Sequence, residues 1–276
     1  MAQPPNIRLA LSNRPENVVL VRETIAGLAD AIELDAADLD DIRTAVTEAC
    51  NNVVLHAYEG AEGALEVEIY SEAGACGVFV RDRGIGLQPR AHRDQWTVGI
   101  GLPVIEALAA SVDFEETPGG GTEVRMRFAT PGVRVLETPE QLLEPGDGTT
   151  EPGSTTTVTI TPVAPLARSV LPRLLGVLAA RANFSTDRIS DAHLVADALS
   201  AHATDATSAS HLTITVSIEP RNLELTLGPL DAGRARELIS AGSDGVGDVL
   251  EKLSDRVGIE VDGSHELLDL TLTDPR

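Results

Sequence analysis

Apolar residues in the first half of the chain recur at two different spacings, one typical of strands and one typical of helices. Alternating apolar and polar side chains, or short apolar runs bounded by turn residues, predict strands at residues 7–11, 64–70, 76–80, 112–116 and 123–128. Apolar residues three or four positions apart predict helices at residues 18–32, from about 39 through 57, and from 101 to 109. Residues 71–74 are typical of a hairpin turn, and Asp38 is placed to cap the second helix.

Strands and helices do not alternate regularly in this order. We therefore expect an antiparallel or mixed sheet with helices on one face, an α+β two-layer sandwich, and not a doubly wound parallel sheet.

The second half repeats this outline. Strands are predicted at 157–161, 212–218, 223–227, 257–261 and 266–272, and helices at 164–182, 190–203 and from about 245 to 253. The matching order predicts a tandem duplication with a degenerate second copy, and two similar domains by coincidence is the alternative. The Pro-, Gly-, Thr- and Glu-rich stretch between the halves predicts a linker, within which residues 140–143 suit a short helical turn. The predicted domains are thus 1–130 and 155–276, joined by residues 131–154.

The composition removes several classes of function. The net charge of the 276 residues is -22, which opposes direct binding to nucleic acid. Lys252 is the single lysine, so the first half lacks the lysine of a Walker-type phosphate loop. Two cysteines do not make a disulfide framework, and neither a secretory signal nor a run of membrane-spanning length is evident. We expect a cytoplasmic protein without a membrane partner.

Chemistry-bearing residues lie along one face of the second predicted helix. Glu48, Asn52 and His56 are each four residues apart, so they share a face. An apolar stripe occupies the opposite face, with Val46, Cys50, Val53 and Ala57. A carboxylate can accept a proton from a nucleophile, and an amide oxygen is a hard ligand suited to magnesium. An ordinary amphipathic helix with a solvated polar face is the alternative.

Three glycine-containing segments follow that helix. They are Asp82-Arg83-Gly84-Ile85-Gly86 after a strand, Gly99-Ile100-Gly101-Leu102 at a helix start, and Gly119-Gly120-Gly121-Thr122 before a strand. An acid at a strand end can accept a hydrogen bond from an exocyclic amine such as that of adenine, and a helix start favours phosphate. Each segment alone is weak evidence, because turns use glycine constantly. All three in this order after a Glu-x-x-x-Asn helix favour a nucleotide site.

This set of motifs resembles the GHKL, or Bergerat-fold, ATP-binding superfamily, and within it the serine/threonine protein kinases that act as bacterial anti-sigma factors. The segment from Glu48 to Tyr58 looks like the N box of that group, and the three glycine segments look like its two glycine boxes and its closing segment. The resemblance covers about residues 7–128 and implies a Bergerat-type ATPase domain that binds ATP and Mg²⁺.

The resemblance also implies roles for individual residues. Glu48 would be the general base, and Asn52 would bind both the nucleotide and the metal. Asp82 would read the adenine amine, and Gly84 and Gly86 would leave room for the base. The remaining nucleotide-binding positions would be Gly99, Gly101 and Leu102 at the phosphates and Thr122 near the adenine end, with residues 88–98 as a lid.

The second half departs from this pattern. Glu48 matches Asp197 or Ala198, and Asn52 matches Ala201 or His202, depending on a one-residue gap. Pro229 stands where Asp82 stood, and only Gly245 and Gly247 survive from the second glycine box. We expect this half to be a pseudo-domain that does not bind Mg²⁺ and ATP.

Two functions from different classes remain open. The first is an ATP-binding anti-sigma regulatory factor that phosphorylates a STAS-domain anti-anti-sigma protein and also binds a sigma factor. The second is a non-catalytic nucleotide-sensing protein that switches partners. A histidine kinase would need an acceptor histidine in its own domain, and no histidine precedes His56. The resemblance further implies a monomer in which the two halves form an intramolecular pseudo-dimer.

Overall fold

The computed structural model describes residues 4–86, 101–117, 120–138, 155–161, 163–239 and 246–275. The described residues form two compact units, one spanning Pro5–Glu137 and one formed mainly by the residues from Thr155 onward. The predicted lid, Gly99 and most of the predicted linker, including its helical turn, lie outside the described residues.

The first unit is a five-stranded antiparallel sheet with helices packed on one face. Its elements are β1 (Ile7–Ser12), α1 (Pro15–Ile32), α2 (Ala36–Asn52), β2 (Ala64–Glu72), β3 (Ala75–Asp82), α3 (Gly101–Leu108), β4 (Ser111–Glu116) and β5 (Thr122–Ala129). The strand order is β4-β5-β3-β2-β1. The predicted α+β two-layer sandwich is confirmed.

The core lies between this sheet and the helices. The core side chains are nearly inaccessible to solvent, on the strands (Leu9, Val67 and Val78) and on α1 and α2 (Leu28 and Val46). Burial of each such side chain contributes about 1.5–3 kcal/mol. This packing holds the end of β3 and the start of α3 beside α2.

The start of α2 differs from the prediction. Asp35, and not Asp38, is the N-cap residue: its carboxylate accepts a hydrogen bond from the backbone N–H of Asp38 at 2.9 Å. The Asp38 side chain cannot cap a helix whose first turn already contains it. At its other end α2 continues as a wider π-helical turn over Val53–Ala57.

The outer face of the sheet carries a ladder of charges. Glu68 on β2 pairs with Arg8 at 2.7 Å and with Arg81 at 3.2 Å, and it accepts a hydrogen bond from Tyr70 at 2.7 Å. Arg81 also pairs with Glu123 on β5. Glu68 is only 4% exposed. Burial raises the pKa of Glu68, but Tyr70 and the two arginines outweigh burial and hold it below its usual range.

Residues 131–137, predicted as the start of the linker, belong to the first unit. Arg134 donates its backbone N–H to the carbonyl of Ile32 at 3.1 Å. The side-chain amide of Asn6 donates to the carbonyl of Leu136 at 3.0 Å, and Leu136 is buried. The segment therefore packs over the start of β1 and the end of α1.

The second unit repeats the same strand order. Its elements are β6 (Thr155–Ile160), α4 (Val163–Arg181), α5 (Thr186–Ala206), β7 (Leu212–Glu219), β8 (Asn222–Asp231), α6 (Arg234–Ile239), α7 (Val246–Leu253), β9 (Arg256–Asp262) and β10 (His265–Thr273). The order β6-β7-β8-β10-β9 corresponds strand by strand to β1-β2-β3-β5-β4. The sequence pattern missed α6. A common origin of the two units stays a prediction.

Among the described residues one helix, α4, is long and apolar enough by composition to cross a membrane, with a mean hydropathy of 1.4. Half of that stretch is buried. This is weak evidence for a membrane span because the core helix of a folded domain meets the same criteria. The cytoplasmic location stays a prediction.

Candidate functional site

The start of α3 meets the polar face of α2. A Cβ atom placed on Gly101 would lie 3.0 Å from Oε2 of Glu48 and 3.7 Å from Nδ2 of Asn52. The second glycine segment and the Glu-x-x-x-Asn helix are thus in contact, although they are far apart in sequence. Leu102 follows on α3 and is half-buried. The backbone amides at a helix start can bind phosphate, and an acid and an amide one helical turn apart can bind a cation beside that phosphate.

A second cluster lies at the end of β3. The carboxylate of Asp82 accepts the backbone N–H of Gly84 at 2.8 Å. Burial raises the pKa of Asp82, and interactions with Gly84 and Thr122 act in the opposite direction. The first glycine segment and the closing segment therefore meet at one carboxylate, which can accept a further bond from a ligand amine.

Two glycines of this cluster leave no room for a side chain. A Cβ atom on Gly84 would lie 2.0 Å from the carbonyl oxygen of Ala57 at the end of the π-helical turn. A Cβ atom on Gly121, which has φ of +95°, would lie 2.2 Å from the carbonyl oxygen of Asp82. Gly86 has φ of +72° and lies beside Gly121. The loop after β3 is therefore pressed against both α2 and the start of β5.

Tyr58 is a residue of this region that received no role from the sequence. Its hydroxyl accepts the backbone N–H of Arg83 at 2.8 Å and donates to the carbonyl of Ala64 at 2.5 Å. A Cβ atom on Gly63 would fall within 2.1 Å of the Tyr58 ring. A tyrosine directly after the polar helix, with a hydroxyl that needs a partner when buried, is the signal that could have found it.

The donor set fits magnesium. Within the described part of the chain no three His, Cys, Asp or Glu side chains form a metal cluster. Magnesium bound to nucleotide phosphates needs only one or two protein oxygens, and Asn52 offers one beside the carboxylate of Glu48. Cys50 and Cys76 lie in the core, and burial raises the pKa of each thiol to about 12, so neither is a reactive group here.

The second unit lacks counterparts of the acid Glu48 and the amide Asn52. Ser185 caps α5 as Asp35 caps α2, each through the backbone N–H three residues later. Counted from these caps, Ala198 stands at the position of Glu48 and His202 at that of Asn52. The structure thus removes the one-residue uncertainty of the sequence comparison.

The acid at the position of Asp82 is also replaced in the second unit, although β8 itself ends at Asp231. Both central hairpins have two-residue turns with a positive φ at the second residue, 72° at Gly74 and 63° at Arg221. Counted from these turns, Pro229 stands at the position of Asp82, as predicted. Gly247 lies in α7, and Gly245 and Gly99 lie outside the described residues, so the expected match of the second glycine segments stays a prediction.

A helix of the second unit starts where the first unit has its strand-end cluster. α6 begins directly after Gly233, and the backbone N–H of Ala235 donates to Oε2 of Glu266 at 2.9 Å. Glu266 stands at the position of Thr122, because Asp274 and Thr130 donate to the equivalent turn carbonyls of Arg221 and Gly74. Ala235 is fully buried. The second unit thus fills this region with its own backbone and side chains.

Comparison with known proteins agrees with this geometry. The family described as "Histidine kinase-like ATPase domain" matches residues 11–128. The anti-sigma F factor of Pasteuria penetrans is 34% identical over 122 residues, which are 40% of this chain and 81% of that protein. The serine-protein kinase RsbW of Halalkalibacterium halodurans is 32% identical over 131 residues, 42% of this chain and 80% of that protein. The anti-sigma F factor of a Thermoanaerobacter species is 27% identical over 129 residues, 44% of this chain and 90% of that protein.

The first unit is therefore an ATPase domain of the histidine kinase-like class, and the resemblance to the GHKL superfamily is confirmed. Such a domain implies a nucleotide as ligand. The chain belongs to the family of anti-sigma factors and serine-protein kinases that these relatives represent. The three matches cover less than half of the chain, in the first unit.

Proposed function

We propose that the protein is an ATP-binding anti-sigma regulatory factor that phosphorylates a serine or threonine of an anti-anti-sigma protein. The observation that carries this proposal is the meeting of Glu48, Asn52 and Gly101 at the start of α3. A protein that only sensed nucleotide would need the amide and the helix start, but it would have no use for a carboxylate beside them.

The proposed reaction is an in-line transfer of the γ-phosphoryl group. The substrate hydroxyl gives its proton to Glu48, its oxygen bonds to the γ-phosphorus, the bond from that phosphorus to the β–γ bridging oxygen breaks, and ADP leaves. Asn52 holds magnesium, which neutralises phosphate charge when bound. The amides at the start of α3, including that of Gly101, favour the phosphates.

Adenine recognition falls to the cluster at the end of β3. The carboxylate of Asp82 accepts a hydrogen bond from Gly84, and its two oxygens offer about four acceptor directions. It can therefore also accept a hydrogen bond from the exocyclic amine of adenine. The carbonyl of Ala57 occupies the space that a Gly84 side chain would need, so Gly84 lets the loop pack against the end of the helix, and Gly86, whose Cβ position has only ordinary contacts, lets the base lie close to the backbone.

The partners follow from the relatives and from charge. Two of the relatives are named anti-sigma F factors and one a serine-protein kinase, so a sigma factor and a STAS-domain anti-anti-sigma protein are the proposed partners. The net charge of -22 favours association with a basic surface. The second unit, without counterparts of Glu48, Asn52 and Asp82, serves structure or partner binding.

Phosphotransfer from labelled ATP to the STAS-domain proteins of the same genome tests this proposal. Glu48→Gln should keep Mg²⁺-dependent ATP binding by calorimetry but lose about 10²–10⁴ in transfer rate. Asn52→Ala should lose the Mg²⁺-dependent part of binding, and Asp82→Asn should weaken selection of adenine. Full transfer by Glu48→Gln would reject the base role. Nucleotide binding without transfer to any of these proteins would favour the nucleotide-sensing alternative.

A further inference from the structure

The end of α2 is joined to the loop after β3 at two points. The Tyr58 hydroxyl accepts the backbone N–H of Arg83 at 2.8 Å. The carbonyl of Ala57 accepts the backbone N–H of Ile85 at 2.9 Å. Both contacts use backbone groups of the loop, so they act on its conformation whatever side chains it carries.

The first contact fixes one particular peptide group. The N–H that Tyr58 accepts belongs to the peptide between Asp82 and Arg83, so it sets the rotation of the backbone that carries the Asp82 side chain. The second hydroxyl contact, to Ala64 at the start of β2, anchors the ring to the sheet. Burial raises the pKa of Tyr58, so the hydroxyl keeps its proton at neutral pH and can donate to Ala64 while accepting from Arg83.

We propose that Tyr58 is a positioning residue for adenine recognition. It holds the Asp82–Arg83 peptide so that the Asp82 carboxylate keeps the direction in which it meets the 6-amino group of the base. This inference rests on the proposed nucleotide site. Tyr58 touches the backbone beside Asp82 and acts on the base through that acid.

The test measures the contribution of the amino group. Inosine diphosphate lacks the 6-amino group of ADP, so the ratio of the two dissociation constants reports the bond to Asp82. Tyr58→Phe removes one hydroxyl and keeps the ring. Tyr70→Phe is the matched control, because it also removes one hydroxyl, whose partner Glu68 lies on the outer face of the sheet. Both constants are measured by calorimetry on the full chain with Mg²⁺.

The dissociation constant of inosine diphosphate divided by that of ADP should fall about threefold to tenfold in Tyr58→Phe, as expected for loss of one hydrogen bond. The same quotient should not change in Tyr70→Phe. A merely structural role would weaken ADP and inosine diphosphate equally, and that result, or an unchanged ratio, would overturn the inference. Gly63→Ala pushes against the ring and serves as the second variant if Tyr58→Phe does not fold. Failure of the parent chain to bind ADP would refute the proposed function itself.

Discussion

Gly101→Ala separates the chemistry of the site from the stability of the fold. The new Cβ atom would lie 3.0 Å from Oε2 of Glu48, so the carboxylate must yield by a few tenths of an ångström. The Cβ would lie 3.7 Å from the nearest atom of Asn52, which is an ordinary contact. The change therefore displaces the proposed base and leaves the backbone of both helices in place.

The expected magnitudes follow from that displacement. A misplacement of 1 Å costs roughly 10²-fold in rate, so a few tenths of an ångström should cost about threefold to tenfold in phosphotransfer. Alanine is favoured over glycine in a helix by up to about 1 kcal/mol, so the melting temperature should stay constant or rise by a few degrees.

The assay compares transfer rate and thermal unfolding for three proteins. Gly77→Ala on β3 is the control glycine substitution, because its Cβ atom would meet nothing closer than 3.5 Å and it lies at the opposite end of the strand from Asp82. If Gly101→Ala transfers phosphate at the parent rate, Glu48 is not held beside Gly101 in the reacting state. If instead it unfolds at a clearly lower temperature, the start of α3 is packed differently.

Three further predictions test other parts of the molecule. Calorimetry should find one nucleotide per chain, because Ala198, His202 and Pro229 replace the site residues in the second unit, and a stoichiometry near two would contradict this. The folded state lowers the pKa of Glu68 below its ordinary value of 4.5. The ionised Glu68 therefore stabilises the fold fully above that ordinary value, and this stabilisation is lost as the pH falls through the lowered pKa of the folded state. Glu68→Gln should therefore flatten the acid side of a profile of melting temperature against pH, and an unchanged slope would reject the ladder's role. Light scattering should give the 29.0 kDa mass of a monomer, and a stable dimer at micromolar concentration would argue against the predicted pseudo-dimer.

The sequence predicted the elements better than the contacts between them. Period and turn residues located the strands of the described residues, because most of these strands have an apolar side facing the core. The short helix α6 was missed because its six residues, Arg234–Ile239, are too few to show a helical period. Asp35 and Asp38 both suit a helix cap, and only the backbone conformation decides between them.

The sequence suggested which residues form the candidate site, but it did not show how those residues contact one another. Motif order suggested that Glu48, Asp82 and Gly101 act together, and the structure shows which atoms meet. The bond from Arg83 to Tyr58 joins a backbone group to a side chain far away in sequence, and no periodicity reports such a pair. The match of Glu48 to Ala198 likewise needed the helix caps, because insertions shift the numbering between the two units.

The π-helical turn over Val53–Ala57 imposes a spacing rule on sequences of this kind. Each helical residue turns the chain by roughly a quarter-turn, so losing or gaining one residue between Asn52 and Tyr58 would swing the ring away from Arg83. The number of residues between Asn52 and Tyr58 is therefore fixed. A distant sequence with both residues at another spacing could keep the proposed magnesium ligand, but it would have to hold the strand end that is proposed to read adenine by other means.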